Sequence, residues 1–261
     1  YALPAPEIPT ALEIQAAADD YLSETSQIPG SLPSPFPNQV PPSELLLAQS
    51  VVEAGNDLGT SVTVEANPNN LGSNQYNIEG GQLSADGNLF HSFERFGLTQ
   101  NEIANFVSNS EIRNILGRVV GGEISVIDGL VQVSDGNANL YLMNPAGIIF
   151  GQNASLDVPA SFYATTATAI GFGEENWFSG IGIGNSNYAD LLGNPTALAF
   201  PLERSGVIIN SGDLAVDPNQ TLALIGDRVV NTGTLSAPGG QITLAAVPGE
   251  NLVRLSQDGQ V

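Results

Sequence analysis

The residue types that carry out most enzyme chemistry are sparse in this chain of 261 residues. His91 is the only histidine, with Ser92 beside it and Glu94 three positions on. A Ser–His–acid triad needs serine and histidine on one side of the site, whereas neighbours on a β-strand point to opposite faces. The Gly-x-Ser-x-Gly turn that exposes a nucleophilic serine is also absent. We therefore expect His91 to be packed and hydrogen-bonded beside Phe90 and Phe93 rather than catalytic.

Carboxylates are abundant, but their surroundings do not favour catalysis or metal binding. The chain has 27 acidic residues and six arginines, no lysine, and a net charge of −21. The pairs Asp19-Asp20 and Glu174-Glu175 could belong to the groove of a polysaccharide lyase or hydrolase, yet no arginine or lysine stands close enough in sequence to act as a base. No D-x-[DN]-x-[DN]-G loop suggests a Ca²⁺ site. The absence of cysteine excludes disulfides and thiolate metal sites. We predict no enzyme activity, cofactor or metal.

The charge also limits the possible partners. So few cations could not neutralise a row of phosphates, which argues against nucleic acid. The same acidity disfavours an anionic membrane surface. No apolar run approaches 18 residues, so we expect no membrane insertion.

The most informative stretch is ANLYLMNPAGIIFGQNAS, residues 138–155. Two apolar runs flank Asn144-Pro145-Ala146-Gly147. Asn at the first position of a turn, Pro at the second and Gly at the fourth predict a type I β-turn, with the asparagine side chain bonded to the backbone two residues on. Ala146 argues against type II, which needs positive φ at that position. The stretch therefore predicts two buried strands joined by a rigid corner.

An internal repeat indicates how such corners are stacked. IINSGDLAV at residues 208–216 returns as VVNTGTLSA at 229–237, which pairs Asn210 with Asn231 and Leu214 with Leu235 at a spacing of 21. TLAL at 221–224 recurs as ITL at 242–244. Short strands ending at matched corners with one period are typical of a parallel β-solenoid. We expect further rungs around residues 67–83 and 121–133.

Two segments depart from this period. Residues 1–47 are rich in proline and acidic, and are predicted to form an extension or linker with short helices at 12–23 and after Ser43. Residues 171–201 contain the only tryptophan, Trp177, and are predicted to form an extra-helical hairpin or loop on the side of the solenoid.

Four blocks, taken in order, carry a family resemblance. They are NLFHSFERF (88–96), ILGRVVGGEISVIDGL (115–130), ANLYLMNPAGIIFG (138–151) and NASLDV (153–158). Over residues 48–261 the chain resembles the amino-terminal secretion domain of the filamentous haemagglutinin family, particularly its cyanobacterial-type members. The resemblance implies an all-β fold, a right-handed single-stranded parallel β-helix with extra-helical strands or hairpins.

The resemblance also implies a function in two-partner secretion. Such a domain is recognised in the periplasm of a Gram-negative cell by the POTRA modules of a TpsB-type outer-membrane transporter, and it precedes the rest of the exoprotein, here beyond Val261. The product is secreted or held at the cell surface. We expect β-helix folding to be nucleated outside the cell. The alternative is a surface adhesin or carbohydrate-binding β-helix module. The two functions are distinguished by where ligand contacts lie, on exposed aromatics of the 171–201 insert or on residues 87–151.

Particular residues match the motifs of this family. The second secretion motif, Asn-Pro-Asn-Gly-Ile, falls on Asn144, Pro145, Gly147 and Ile148, with Ala146 replacing the inner asparagine. The first, Asn-Pro-Asn-Leu, falls on the residues Asn109, Ser110, Glu111 and Ile112, of which only Asn109 matches. The family block consists of Asn88, Leu89, Phe90, His91, Ser92 and Phe93. Asn67-Pro68-Asn69-Asn70 precedes that block and is interpreted as an ordinary turn.

Overall fold

A computed structural model of the chain describes residues 50–70, 72–173, 176–180, 187–201, 205–249 and 251–255. The predicted extension with its helices, and both acidic pairs, lie outside the described residues. The described part is almost entirely β, with one 3₁₀ turn at Tyr188–Asp190. Its strands, in chain order, are β1 (Val51–Ala54), β2 (Thr60–Ala66), β3 (Asn74–Gly80), β4 (Gln82–Leu83), β5 (Asn88–Gly97), β6 (Ile103–Val107), β7 (Asn114–Val119), β8 (Ser125–Ile127), β9 (Leu130–Ser134), β10 (Asn139–Met143), β11 (Ile148–Phe150), β12 (Ser155–Asp157), β13 (Phe162–Thr165), β14 (Ala169–Phe172), β15 (Asn176–Ser179), β16 (Ala197–Phe200), β17 (Val207–Asn210), β18 (Asp213–Ala215), β19 (Thr221–Gly226), β20 (Arg228–Asn231), β21 (Thr234–Ser236), β22 (Gln241–Ala246) and β23 (Asn251–Arg254).

Three sheets form a solenoid of about six coils. Within each sheet, the strands contributed by successive coils are parallel. Sheet I stacks β5, β7, β10, β13, β19 and β22. Sheet II stacks β8, β11, β17 and β20, and sheet III stacks β6, β9, β12, β18 and β21. A complete coil passes from sheet I through sheet II to sheet III. The first coil begins at β5, coil 2 consists of β7, β8 and β9, coil 3 of β10, β11 and β12, and coil 4 of β13, β17 and β18. The predicted parallel β-helix is confirmed.

The internal repeat predicts the register of neighbouring coils correctly. Asn210 pairs with Asn231, and Leu214 pairs with Leu235. The second repeat places Leu222 opposite Ile242 at the same level of sheet I. Like residues therefore stack directly over one another, which is the arrangement expected when each coil uses its neighbour as a template.

The first four strands differ from the expected rung. β2 and β3 form an antiparallel hairpin whose turn is Asn67–Asn70, and β3 then pairs in parallel with β6. β1 and β4 both pair antiparallel with β5. The rung predicted for residues 67–83 is therefore present only as β3, which extends sheet III in parallel. Strands β1 to β4 together form a cap on the first coil, hereafter the cap. These strands cover the edges that β5 and β6 would otherwise leave open at this end of the stack.

The predicted extra-helical insert is confirmed and is larger than residues 171–201. It leaves sheet I after Thr165 and returns to the solenoid at β17. Within it, β14 pairs antiparallel with β15 and β16, and β23 joins β16 to complete a four-stranded sheet IV. Trp177 lies over Gly171, where a Cβ atom would come within 2.8 Å of the indole, so the glycine makes room for the ring.

Two apolar clusters stabilise these layers. One fills the interior of the solenoid, and the other lies between the outer face of sheet I and sheet IV. Strand β5 contributes Leu89 and Phe93 to the first and Phe90 to the second. Both faces of β5 therefore belong to a core, because sheet IV covers the face that would otherwise be in solvent. Each fully buried side chain of this kind contributes roughly 1.5–3 kcal/mol.

Candidate functional site: the corner at Asn144–Gly147

The stretch between β10 and β11 forms the predicted turn. The Gly147 N–H donates to the Asn144 carbonyl over 3.1 Å, and the Ala146 N–H donates to Asn144 Oδ1 over 2.9 Å. Ala146 does not have positive φ, which excludes a type II turn. Gly147 adopts φ +128°, a conformation that disfavours any side chain. The asparagine therefore fixes the turn through both its backbone and its side chain.

Asn144 also bonds the turn to the neighbouring coils. Its side chain is fully buried, and Nδ2 donates to the Glu123 carbonyl and to Ser125 Oγ of coil 2, both at 2.9 Å. Its own N–H donates to the Thr165 carbonyl of coil 4 over 3.0 Å. One residue thus links three successive coils at the corner between sheets I and II.

The insert leaves and rejoins the solenoid directly above this corner. Thr165, the last residue before the insert, accepts the Asn144 N–H, and Gly206, just before β17, donates its N–H to the Pro145 carbonyl over 2.8 Å. A Cβ atom on Gly206 would lie 2.3 Å from the Gly147 nitrogen, so only glycine fits this approach. The turn therefore holds both ends of residues 166–205 in place.

Little of the motif is accessible in the folded domain. Asn144, Gly147 and Ile148 are buried, whereas Pro145 and Ala146 are partly exposed. Gly180 of the insert packs against Pro145, because a Cβ atom there would meet Pro145 Cγ at 3.2 Å. A partner that contacted the folded corner would reach at most a proline ring and a methyl group.

The segment that matches the first motif forms the same kind of turn. The Glu111 N–H donates to Asn109 Oδ1 over 2.8 Å, and the Ile112 N–H donates to the Asn109 carbonyl over 3.3 Å. Asn109 and Ser110 are exposed. The hydrogen bonds of the turn are kept although the sequence matches at one position only, because asparagine alone supplies the side-chain acceptor.

This geometry is not restricted to the two motif segments. Asn67 also accepts from Asn69 and Asn70, at 2.8 Å to its side chain and 3.2 Å to its carbonyl. The ordinary turn predicted at 67–70 is therefore present. What distinguishes Asn144 is its position within the stack of coils.

The family block begins a ladder of asparagines along sheet I. Asn114 Nδ2 donates to Asn88 Oδ1 over 2.7 Å, and Asn139 Nδ2 donates to Asn114 Oδ1 over 2.9 Å. Asn88 also donates to the Leu191 and Gly193 carbonyls of the insert, both at 2.8 Å. Sequence reasoning missed this ladder, although asparagines 26 and 25 positions apart were the available signal.

His91 is packed as expected but is not hydrogen-bonded as expected. Its ring stacks on Phe93 and meets the edge of Phe106, while Phe90 points to the outer cluster. Neither ring nitrogen has a hydrogen-bond partner among the described residues. Burial lowers the pKa of His91 from 6.5 to about 4, so the ring is neutral in the folded domain at neutral pH. Ser92 Oγ, on the opposite face of the strand, accepts a hydrogen bond from Arg118.

Arg118 was not identified from the sequence. Only 5% of its surface is exposed, and its guanidinium donates to Asp57 of the cap and to the Ser179 carbonyl of the insert. It also lies 5.0 Å from the centre of the Phe178 ring, a cation–π contact. A single cation therefore joins the cap, sheet I and the insert.

The described residues hold no group of three or more His, Cys, Asp or Glu side chains placed to bind a metal ion. In that same part of the chain, no helix has the length and apolar character needed to cross a membrane.

Comparison with known proteins agrees with this architecture. The family model of the TPS secretion domain matches residues 55–261. The crystal structure of the HMW1 secretion domain from Haemophilus influenzae has the same fold, with a TM-score of 0.55 and 20% identity, over 79% of this chain and 46% of that one. No curated protein matches the sequence. The chain belongs to the TPS secretion domain family and is the secretion domain of a two-partner secretion exoprotein.

Proposed function

We propose that this domain is recognised in the periplasm by the POTRA modules of its TpsB-type transporter, before the solenoid has closed. The observation that carries the proposal is the burial of Asn144, Gly147 and Ile148 in the folded corner. A signal composed of these residues is accessible only in a chain whose coils 2, 3 and 4 have not yet packed together.

The open chain offers backbone groups that folding conceals. In coil 3, every residue of β10 pairs with β7, and four of the five also pair with β13. Before those pairs form, the same apolar segment could add to the edge of a POTRA sheet. The partner would thus hold the chain through the hydrogen bonds that neighbouring coils later supply.

Outside the cell, the corner would nucleate folding. Asn144 bonds to coil 2, which precedes it, and to Thr165, which follows, so its contacts form as the chain emerges in order. Each closed coil then offers a complete sheet edge to the next. Folding from the cap onward would favour outward movement without an energy-consuming motor.

The domain boundary near residue 48 is part of the same proposal. The family match from residue 55 and the first described strand at Val51 support it. The adhesin or carbohydrate-binding alternative gains no support from four of the five aromatics of the insert; the fifth, Trp177, is partly exposed. Phe172, Phe178 and Phe200 are buried in the outer cluster, and Tyr188 packs against Phe90 and Phe178.

The test is export from cells that carry or lack the cognate transporter. We expect export to require the transporter and to fall in Asn144→Ala. Asn67→Ala is the matched control because it removes the same kind of turn acceptor outside the two motifs. Export that is independent of the transporter would overturn the proposal. An equal loss in both variants, in proportion to their loss of stability, would show that the corner acts only in folding.

A further inference from the structure

The imidazole of His91 is enclosed where the cap meets the first coil. None of its surface is exposed. Its centroid lies 6.2 Å from that of Phe93 and 5.9 Å from that of Phe106. The backbone of Gly81 closes another side, because a Cβ atom there would come within 3.1 Å of Nδ1 and Cε1 of the ring. Aromatic side chains of the first coil begin this enclosure, and the cap completes it.

Both nitrogens of the enclosed ring are unpaired within the described part of the chain. A neutral ring leaves one donor and one acceptor unsatisfied, whereas a protonated ring would leave two donors and a positive charge. The second state is far more costly to bury. Protonation and enclosure therefore oppose each other.

No charged neighbour stabilises the protonated form of the buried His91 ring. The titratable groups on the surrounding strands are Glu53 of β1, Tyr76 and Glu79 of β3, Glu94 and Arg95 of β5, and Arg118 of β7. Glu53 and Arg95 form an exposed ion pair with each other, and Glu79 and Glu94 are exposed. The Tyr76 hydroxyl bonds to Glu102, and Arg118 lies on the outer face of sheet I. Burial is the only cause of the lowered pKa of His91, so none of these groups contributes to it.

The part of the cap beside His91 is well suited to open. Gly80 and Gly81 both have positive φ, and the following strand β4 is only two residues long. Gln82 and Leu83 are exposed, and they pair with Phe90 and Leu89 of β5. Displacement of this short segment would expose the ring while little apolar area is lost.

We propose that His91 makes closure of the cap depend on protonation: residues 80–83 close over the neutral ring and are forced open by the protonated ring. This inference concerns the isolated domain and goes beyond the proposed function. Its consequence for export, a chain that stays open longer in acid, rests on that function. The experiments below need no transporter, so the two ideas can fail separately.

The direction of the pH effect follows from linkage. The pKa is about 4 in the folded domain and 6.5 in the unfolded chain, so between these values the unfolded chain binds the additional proton. Stability is complete above about pH 6.5 and decreases as the pH falls toward 4. Between pH 7.5 and 5 the ratio of folded to unfolded chain should decrease by about 30-fold on account of this residue.

The first experiment is an NMR titration of the ring, whose signal needs no assignment because the chain has one histidine. It is combined with hydrogen exchange at the Gly81 amide, which donates to Gly59, and at Leu140 of β10 as a reference. We expect the ring to stay neutral to about pH 5, with the Gly81 amide losing protection as the ring titrates and before Leu140 does. A ring that titrates near pH 6.5 under a protected cap would overturn the proposal.

The second experiment compares urea unfolding of the wild type and His91→Leu at pH 7.5 and 5. In the variant, the ratio of folded to unfolded chain should no longer show the 30-fold decrease between pH 7.5 and 5 that His91 contributes. An unchanged pH dependence in a folded His91→Leu would overturn the proposal. If that variant does not fold, the titration of the wild-type ring alone decides the matter.

Discussion

Gly206 donates its backbone N–H to the Pro145 carbonyl over 2.8 Å, and this bond ties the end of the insert to the turn one coil below. The insert therefore does not emerge from an arbitrary point on the solenoid. It begins and ends above the corner at Asn144–Gly147, whose sequence resembles the second secretion motif of the family. A turn that would otherwise only redirect the chain thus also fixes the attachment of sheet IV.

The first prediction concerns the conformation of Gly147. Gly147→Ala should destabilise the domain by about 1–3 kcal/mol, because φ is +128° and a Cβ atom would lie 3.1 Å from the Val207 carbonyl oxygen. Gly147→Val should cost more, since β-branching adds steric conflict. Urea unfolding measures both. Gly122→Ala is the control, with positive φ but no neighbour within 4 Å. Equal losses at the two sites would show that the close packing at Gly147 contributes nothing.

The second prediction separates turn geometry from position. Asn144→Ala should cost about 2–4 kcal/mol, because it removes the turn acceptor and leaves the buried Ser125 hydroxyl and the Glu123 carbonyl without their donor. Asn109→Ala removes the same acceptor from an exposed turn and should cost less than about 1 kcal/mol. Chemical denaturation of the two variants side by side is the measurement. Comparable losses would contradict a special role for the stacked corner.

The third prediction concerns Arg118. Arg118→Leu should destabilise the domain by about 1–3 kcal/mol and raise protease cleavage in the insert, because the buried Ser92 hydroxyl and the Ser179 carbonyl lose a donor, while Asp57 is half exposed and can be solvated. The control is Arg95→Leu. Arg95 forms an exposed ion pair with Glu53 at 2.9 Å, for which a loss below about 1 kcal/mol is expected. If cleavage in the insert is unchanged in Arg118→Leu, the arginine does not hold the insert.

The fourth prediction is a pH dependence at Glu102. Burial by itself raises the pKa of this carboxyl, but hydrogen bonds from Ser50, Thr99 and Tyr76 outweigh that effect and hold it below its usual value. The unfolded chain therefore takes up the proton first. The stabilisation is complete above about pH 4.5 and is lost as the pH falls through the lower, folded value.

In Glu102→Gln we expect lower stability at pH 7 and a shallower decline below pH 4.5, both measured by urea unfolding. This window lies below most of the range in which His91 acts, so the two groups can be distinguished. If the variant is as stable as the wild type at pH 7 and loses stability equally below pH 4.5, Glu102 is not the group responsible for this pH dependence.

The sequence predicts the solenoid well where neighbouring coils have equal lengths. Asn210 and Asn231 are 21 positions apart, and every pair in the following strands keeps a spacing near that value. The earlier coils vary, with Asn88, Asn114 and Asn139 separated by 26 and 25 positions. A repeat whose length changes from coil to coil escapes a search for one fixed period.

Contacts between distant segments could not be predicted from the sequence. Arg118 is 61 positions from Asp57 and 61 from Ser179, and no local pattern specifies that both meet one guanidinium. The hydrogen bond from the Ala146 N–H to Asn144 Oδ1 could be predicted, because donor and acceptor are only two residues apart in the sequence. Its burial could not, because that depends on where the insert rejoins the solenoid.

The central claim is that the transporter recognises the domain before it folds. The most direct test is binding of the chain to the POTRA fragment of the cognate transporter. Chain freshly diluted from urea is compared with fully refolded chain at the same residual urea, and Asn144→Ala is measured in parallel. We predict saturable binding that is stronger for the freshly diluted chain and weaker for the variant. Equal or stronger binding by the refolded domain, or no binding by either form, would contradict the claim.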